Sequence, residues 1–399
     1  MNTTIITEKM VFGGNCIAKI EGKNVFVPYA IPGEKLLIET VESKKDYDTA
    51  KIIEIIEPSP KRITPECPYY QKCGGCNLMH IDYNYQIELR KQILKDIFEK
   101  HKIEIPEIQT VTANALNYRS RFQLHDGGME ERHSNEKVFI DKCLIAEKPV
   151  NDYLNSTQNV DRPKGRCHLF GSKYAEPPFS ISTPRIKNIH EQKKGRKTVR
   201  PKYQGTVINE NTLVSVTLLG KKIMFDVQGF FQSNLGVLEK TIEILTSDLK
   251  GKNALDMYSG CGTFSVFLED RFEHITLVEH NRDAIVFAEQ NLKLKNHESY
   301  GISGAKWVKE NSASIINRYG DFDTVIIDPP RSGMEKDVVE FLSKNKPYDL
   351  RIMSCDPVTN ARDIKTLCNS GYKVKKLFLL DFYPQTSHIE SLAFLKPEI

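Results

Sequence analysis

No run of about 18 apolar residues occurs in the 399 residues, so no segment reads as a membrane-spanning helix. The opening "MNTTIITEKM" lacks the basic and apolar blocks of a secretory leader, and the expectation is a cytoplasmic protein with no membrane partner. In that compartment the nine cysteines are reduced thiols, metal ligands or catalysts rather than a disulfide framework. Large net charge is missing too: the balance is +4, and the first sixty residues are near neutrality, so charge alone does not mark them as a nucleic-acid binder. Acids are scarce in one place. Residues 185–202, "RIKNIHEQKKGRKTVRPK", set Arg185, Lys187, Lys193, Lys194, Arg196, Lys197, Arg200 and Lys202 against Glu191 alone. Such a run is either a solvated loop or a phosphate-neutralising segment that points to a nucleic-acid partner.

At this length the chain exceeds one ordinary core, and its texture changes twice. Residues 1–58 carry short β-prone pieces ("NVFVPYA", "KLLIETVE", "TAKIIEIIE") broken by Gly13-Gly14 and Pro32-Gly33, the pattern of a compact five-stranded, OB-like barrel. Residues 59–225 are irregular α+β, with one amphipathic helix in "YNYQIELRKQILKDIFEKH", where Ile87, Leu89, Ile93, Leu94 and Ile97 keep a near-3.6-residue repeat. Residues 226–399 alternate strands ("ALDMYSG", "ITLVEH", "DTVIID", "LRIMSC") with helical stretches, then add "VKKLFLLDF" and "ESLAFLK". Alternation of that kind implies a Rossmann-like, mainly parallel sheet covered by helices, with ligands beyond the carboxyl ends of the strands.

Chemistry concentrates there. "ALDMYSGCGTFSVF" ends a strand at Asp256 and turns through Gly260 and Gly262 before an expected helix, while Glu279 closes the next strand, where an acid reaches both ribose hydroxyls. The absence of a third glycine disfavours a dinucleotide pyrophosphate and favours S-adenosylmethionine. Asp328-Pro329-Pro330-Arg331 ends another strand, with two N–H donors removed and acceptors turned to the crevice. Cys355 ends the following strand at the start of a helix capped by Asp356 or Thr359, a position that lowers a thiol pKa unless Asp356 opposes it. Glu390, two residues after His388, lies near the last strand and is expected on the same face as that histidine. Thiol, carboxylate, methyl-donor pocket and base-binding turn together suit methylation of a uracil C5. The thiolate of Cys355 adds to C6, C5 becomes nucleophilic, and Glu390 takes the C5 proton.

A second cluster, "CPYYQKCGGC", places Cys67, Cys73 and Cys76 in C-x5-C-x2-C spacing, and Cys143 in "DKCLIAEK" completes four thiolates. Spacing leaves zinc and [4Fe-4S] both open. Cys16, Cys167, Cys261 and Cys368 remain as packing thiols.

With "FFQSN", "DMYSGCGTFS", "VEHNRDA", "DPPRSG", "SCDPVTNARD" and "YPQTSHIE", nearly the whole chain resembles the S-adenosylmethionine-dependent RNA uracil-C5 methyltransferases, in the branch with an N-terminal TRAM module and an iron-sulfur cluster that modifies 23S rRNA. The resemblance implies Gln232, Tyr258, Thr263, Glu279, Asn311 and Asp328 as cofactor contacts, Cys355 as nucleophile and Glu390 as proton acceptor. It implies TRAM for "MVFGGNCIAKIEGKNVFVPYAIPGE", and a structural [4Fe-4S] cluster on Cys67, Cys73, Cys76 and Cys143. It further implies a 23S rRNA partner with the target uridine flipped out of its stack, and a monomer is expected. The same chemistry on the T-loop uridine of tRNA, and a non-catalytic Fe–S RNA-binding protein that would leave Cys355 idle, are the competing readings.

Overall fold

The computed structural model describes residues 2–132, 134–158, 161–182, 186–193, 196–203 and 212–398, with backbone alone for 186–193 and 196–203. The side chains of the basic segment 185–202 therefore lie outside the described residues. Its backbone pairs Ile186–Lys193 antiparallel with Arg196–Tyr203.

The N-terminal strands form one barrel-like sheet of six, not the expected five. Asn2–Ile6 pairs with Lys35–Ser43, and the chain then turns at Thr7 so that Lys9–Met10 pairs with Asn15–Ile20 as a separate short strand. Thr7 fixes that turn: its N–H donates to Glu34 O at 3.0 Å and its hydroxyl to Ile31 O at 2.5 Å. Alternate residues Cys16 and Ala18, Val25 and Val27, and Leu36 and Ile38 point inward and are fully buried, as the period of two requires.

The amphipathic helix spans Tyr83–Lys100, started by the Asp82 carboxylate, which accepts from Tyr85 N. Leu89, Ile93, Leu94 and Phe98 are buried on its inner face, but so are Gln86 and Arg90. Arg90 Nη1 donates to Asp381 Oδ1 at 2.6 Å and Tyr83 Oη to Asp381 Oδ2 at 2.6 Å, which ties this helix to the C-terminal half. Further along, Arg121–His125, Arg166–Gly171 and Phe179–Ser182 make a three-stranded sheet packed on the helix Lys148–Ser156.

Eight strands form the large sheet, in the spatial order His297–Tyr300, Phe272–Val278, Gly251–Met257, Thr324–Ile327, Asp349–Ser354, Glu390–Pro397, Tyr372–Leu380, Ile108–Val111. The first five run parallel; Glu390–Pro397 is inserted antiparallel between its two neighbours. Thr324–Ile327 and Asp349–Ser354 are buried along their whole length, as expected of central strands covered on both faces. Two strands escape the sequence pattern. His297–Tyr300 is too polar to announce itself, and Ile108–Val111 comes from the central region, pairs with Tyr372–Leu380 and so carries the sheet across residue 226. The helix expected after the glycine turn is a single 3-10 turn, Ser265–Phe267, because the chain re-enters the sheet at Phe272.

The Arg90–Asp381 pair is almost wholly buried, with side chains 1% and 0% exposed. Removing one partner strands a charge, so Arg90→Ala should cost about 3–5 kcal/mol of stability, read as a lower urea midpoint.

Candidate active site

The register of the large sheet builds the site. Met257 pairs with Val278 and with Ile327, and Ile327 pairs with Ile352, so Tyr258, Glu279 and Asp328 emerge side by side at the carboxyl ends of adjacent strands. Strand order reverses here, between Gly251–Met257 and Thr324–Ile327, which opens the crevice where ligands bind in such sheets. Ser354 pairs antiparallel with Ser391, and one step further sets Cys355 opposite Glu390.

The crevice is acidic. Asp256 is fully buried; it accepts from Ser265 Oγ at 2.5 Å through Oδ2, and burial raises its pKa to about 6. Glu279 accepts from Gly260 N at 2.9 Å and Asn281 N at 2.6 Å, so the glycine turn folds over this carboxylate. Burial and the charges of Asp256 and Glu279 push Asp328 up to about 7. Glu390 reaches about 8 through burial and Asp328, against a hydrogen bond from Gln232 and the charge of Arg331. Cys355 is pushed up to about 11 by burial, Glu390 and Asp328, with Arg331 opposing. The helix start therefore does not activate this thiol in the free protein. Asp356 is the cap of Pro357–Asn369, accepting from Val358 N and Thr359 N, and neighbouring carboxylates outweigh the helix end.

Several buried polar atoms here have no partner among the described residues: Asp256 Oδ1, Ser259 Oγ, Gln232 Oε1 and Glu390 Oε2. Orphans clustered among carboxylates fit a polar, cationic ligand such as S-adenosylmethionine. At Gly262, with φ +78°, an added Cβ would come within 3.2 Å of Ala288, so only glycine turns the chain this tightly there. Tyr258 also takes a positive φ, +66°, and its hydroxyl donates to Glu335.

Not every anticipated contact is brought together. Gln232 lies beside Glu390, and Thr263 follows Gly262 in the glycine turn with its hydroxyl 3.5 Å from Cys261 Sγ. Asn311 lies beyond the end of the helix Gly304–Glu310, which starts beside Met257 and Val338 and packs through Trp307 against Tyr300 and Phe322. Seven helical residues displace Asn311 by about 10 Å from the strand end. Ser303, three positions past the end of His297–Tyr300, caps that helix by accepting from Lys306 N. His388 lies in the loop before Glu390–Pro397, outside the strand alternation expected for it. The Pro330 carbonyl accepts from Gly333 N at 2.8 Å, closing a turn rather than facing a ligand. Sequence reasoning did not assign Tyr383, whose hydroxyl pKa is raised by burial and Glu390 and which sits inside the "YPQTSHIE" motif.

Cys67, Cys73, Cys76 and Cys143 line a single cavity with Arg119. Among the described residues no group of His, Cys, Asp and Glu closes tightly enough to hold one metal ion. Four thiols around one cavity are the donor set that zinc and an iron-sulfur cluster both use. Burial raises Cys76 to about 12 and Cys143 to about 11 as free thiols. Arg119 faces this cavity, and Arg121 Nη2 donates to Gly229 O at 2.9 Å. Cys16, Cys167 and Cys261 are core residues, and Cys368 packs against the core.

Sheet, acidic crevice and glycine turn define an S-adenosylmethionine-dependent methyltransferase. The model of the tRNA (uracil-5-)-methyltransferase family matches residues 199–398. The chain is 35% identical over 98% of its length to an uncharacterised RNA methyltransferase of Treponema denticola, covering 98% of that protein. It is 29% identical over 96% of its length to the 23S rRNA (uracil(1939)-C(5))-methyltransferase RlmD of Shewanella amazonensis, covering 93% of it. The crystal structure of the Pyrococcus abyssi tRNA (uracil-54, C5)-methyltransferase with S-adenosyl-L-homocysteine superposes with a TM-score of 0.71 at 23% identity, covering 99% of this chain and 100% of that one, and so shares the fold. The protein belongs to the RNA (uracil-5-)-methyltransferase family and is an S-adenosylmethionine-dependent enzyme acting on RNA.

The raised acids give a stability signature with a definite sign. Between pH 7 and 8 the folded protein keeps protons on Asp328 and Glu390 that the unfolded chain has lost, so stability falls as pH rises. The histidines His80, His168 and His388, each lowered to about 4 by burial, work the other way, but the unfolded chain has lost most of their protons above pH 7, where the two acids prevail. Melting temperature of the ligand-free protein should decline across that window, and Asp328→Asn should flatten the decline.

Proposed function

We propose that the enzyme methylates C5 of a uridine in 23S rRNA through a covalent adduct between Cys355 and C6, with Glu390 as the proton acceptor. The register that sets Cys355 opposite Glu390 at the mouth of the acid-lined crevice carries this reading. Gln232, Tyr258, Thr263, Glu279 and Asp328 are assigned to the cofactor. Bound there, S-adenosylmethionine supplies an electrophilic methyl group. A cation among Asp256, Glu279 and Asp328 relieves the repulsion that holds the Cys355 thiol up.

The residues then act in sequence on a uridine flipped from its stack. The Cys355 thiolate bonds to C6, and the electron pair displaced from the C5–C6 bond makes C5 the nucleophile for the methyl group. Glu390 takes the C5 proton, and the electrons of that C–H bond re-form C5–C6 while the C6–sulfur bond breaks, freeing Cys355. Burial favours this: a carboxylate whose pKa is about 8 in the free protein is a stronger base than an exposed one.

Residues 1–58 are read as a TRAM-like module, 59–225 as the central domain with a [4Fe-4S] cluster on Cys67, Cys73, Cys76 and Cys143, and 226–399 as the methyltransferase domain. Their shared cavity supports the four cysteines as ligands in a structural role. Relatives named for 23S rRNA uracil 1939 support the rRNA target. The T-loop of tRNA is the second reading, favoured by the tRNA uracil-54 enzyme that shares this fold.

Tritium release from 5-tritiated uridine in unmodified 23S rRNA and in tRNA tests both. Release from rRNA is expected, and Cys355→Ala should abolish it; release from tRNA alone would move the target, and release that survives Cys355→Ala would remove the thiol from the chemistry. Replacing the lysines and arginines of 185–202 by glutamine should weaken rRNA binding and flatten its dependence on salt. An unchanged binding constant would exclude that segment from the interface.

A further inference from the structure

The ladder holds the backbone of Glu390 on one side only, and the loop that leads into it, residues 381–388, makes few bonds within itself: Thr386 N to Tyr383 O at 3.2 Å, Thr386 Oγ1 to the same carbonyl at 2.8 Å, and His388 N to Thr386 Oγ1 at 3.3 Å. Gln385 even holds a left-handed φ of +69°, a conformation that costs a non-glycine residue energy and persists only when the surroundings impose it. The surroundings are the N-terminal half of the chain. Asn77, directly after Cys76, donates through Nδ2 to Ser387 Oγ at 2.9 Å and accepts at Oδ1 from Ser387 N at 2.8 Å. The N–H groups of Asn77 and Leu78 both donate to Gln385 O, at 3.1 and 3.0 Å. Gln86 exchanges two bonds with Gln385, donating Nε2 to its Oε1 at 2.9 Å and accepting from its N–H at 3.1 Å.

The pairing is sealed from water. Asn77, Gln86 and Gln385 are 8%, 0% and 7% exposed. Gly14 of the barrel approaches so closely that an added Cβ would lie 2.7 Å from Ser387 Cβ and 2.8 Å from Asn77 Nδ2. Asn77 thus sits where the barrel, the loop of the cluster cysteines and the loop before Glu390 converge. Only two residues, His388 and Ile389, separate Ser387 from Glu390, so a slack loop displaces the carboxylate by a distance that matters for proton transfer.

We propose that Asn77, backed by Gln86, is a positioning residue for the methyltransferase reaction: by fixing Ser387 and Gln385 it holds Glu390 opposite Cys355 for the proton-abstraction step. The N-terminal half is then part of the catalytic apparatus and not solely a grip on RNA. This rests on the reading of Cys355 as nucleophile and Glu390 as base.

Because Glu390 acts after methyl transfer, a displaced Glu390 leaves a specific trace. Asn77→Ala should transfer methyl to 5-tritiated rRNA yet release tritium about 10- to 100-fold more slowly than the wild type, and so accumulate a methylated protein–RNA adduct that survives denaturation. Its dissociation constant for S-adenosylhomocysteine should stay within about twofold of the wild type, since the cofactor crevice lies on other strands. The pH–rate profile should also shift toward lower pH, as water reaches a carboxyl now faced by Asp328, Arg331, Gln232, Tyr383 and Cys355. Ser387→Ala loses one of the two side-chain bonds and should show the same adduct to a smaller extent; it carries the test if Asn77→Ala does not fold. Tritium release in step with methyl transfer in both variants, with no adduct, would overturn the proposal. Wild-type turnover that persists in Cys355→Ala would instead overturn the thiol reading on which it rests.

Discussion

Everything chemical in this molecule hangs on the antiparallel entry of Glu390–Pro397 between two strands of the opposite direction. A parallel strand there would present its amino end at the far edge of the sheet. Running the other way, it brings its first residue to the edge where the parallel strands finish, and Glu390 meets Cys355. Backbone hydrogen bonds fix that meeting, so the two groups need no direct bond to each other to stay in register.

The same edge gathers more negative charge than the protein alone can stabilise. Asp256, Asp328 and Glu390 hold protons well above the ordinary carboxyl range because each is buried near another. Left to itself this is a destabilising arrangement; a positively charged ligand converts it into binding energy. Orphaned oxygens on Asp256, Gln232 and Glu390 tell the same story in hydrogen bonds.

The long-range contacts explain why the chain is built from three textures but cannot be cut cleanly between them. Ile108–Val111 supplies an edge strand to the C-terminal sheet, Arg90 buries its charge on Asp381, and Tyr118 Oη donates to Pro384 O at 2.9 Å. Each joins residues more than 250 positions apart. Their polar members, Gln86 and Arg90 on an otherwise amphipathic helix, break the apolar pattern because their partners are equally buried.

Much was legible from residue order. Strands rich in Val, Ile and Leu announced the central sheet, glycines at 260 and 262 the turn over Glu279, and cysteine spacing a shared site, because each of these signals is local. Less local features were not. His297–Tyr300 is polar, and only its neighbour Phe272–Val278 makes it a strand. Asn311 lies beyond a seven-residue helix, and only the direction of that helix decides how far it stands from the strand ends. The Cys355 thiol looked activated by a helix end, yet burial and then carboxylates from two other strands raise it. Sequence by itself determined which residue types were available for the chemistry and which segments would be strand or helix, since propensity and periodicity act over a few neighbours. Tertiary structure alone decided which of those residues share one solvent-poor volume, and with it their charge, because desolvation and Coulomb coupling depend on distance in space and not along the chain.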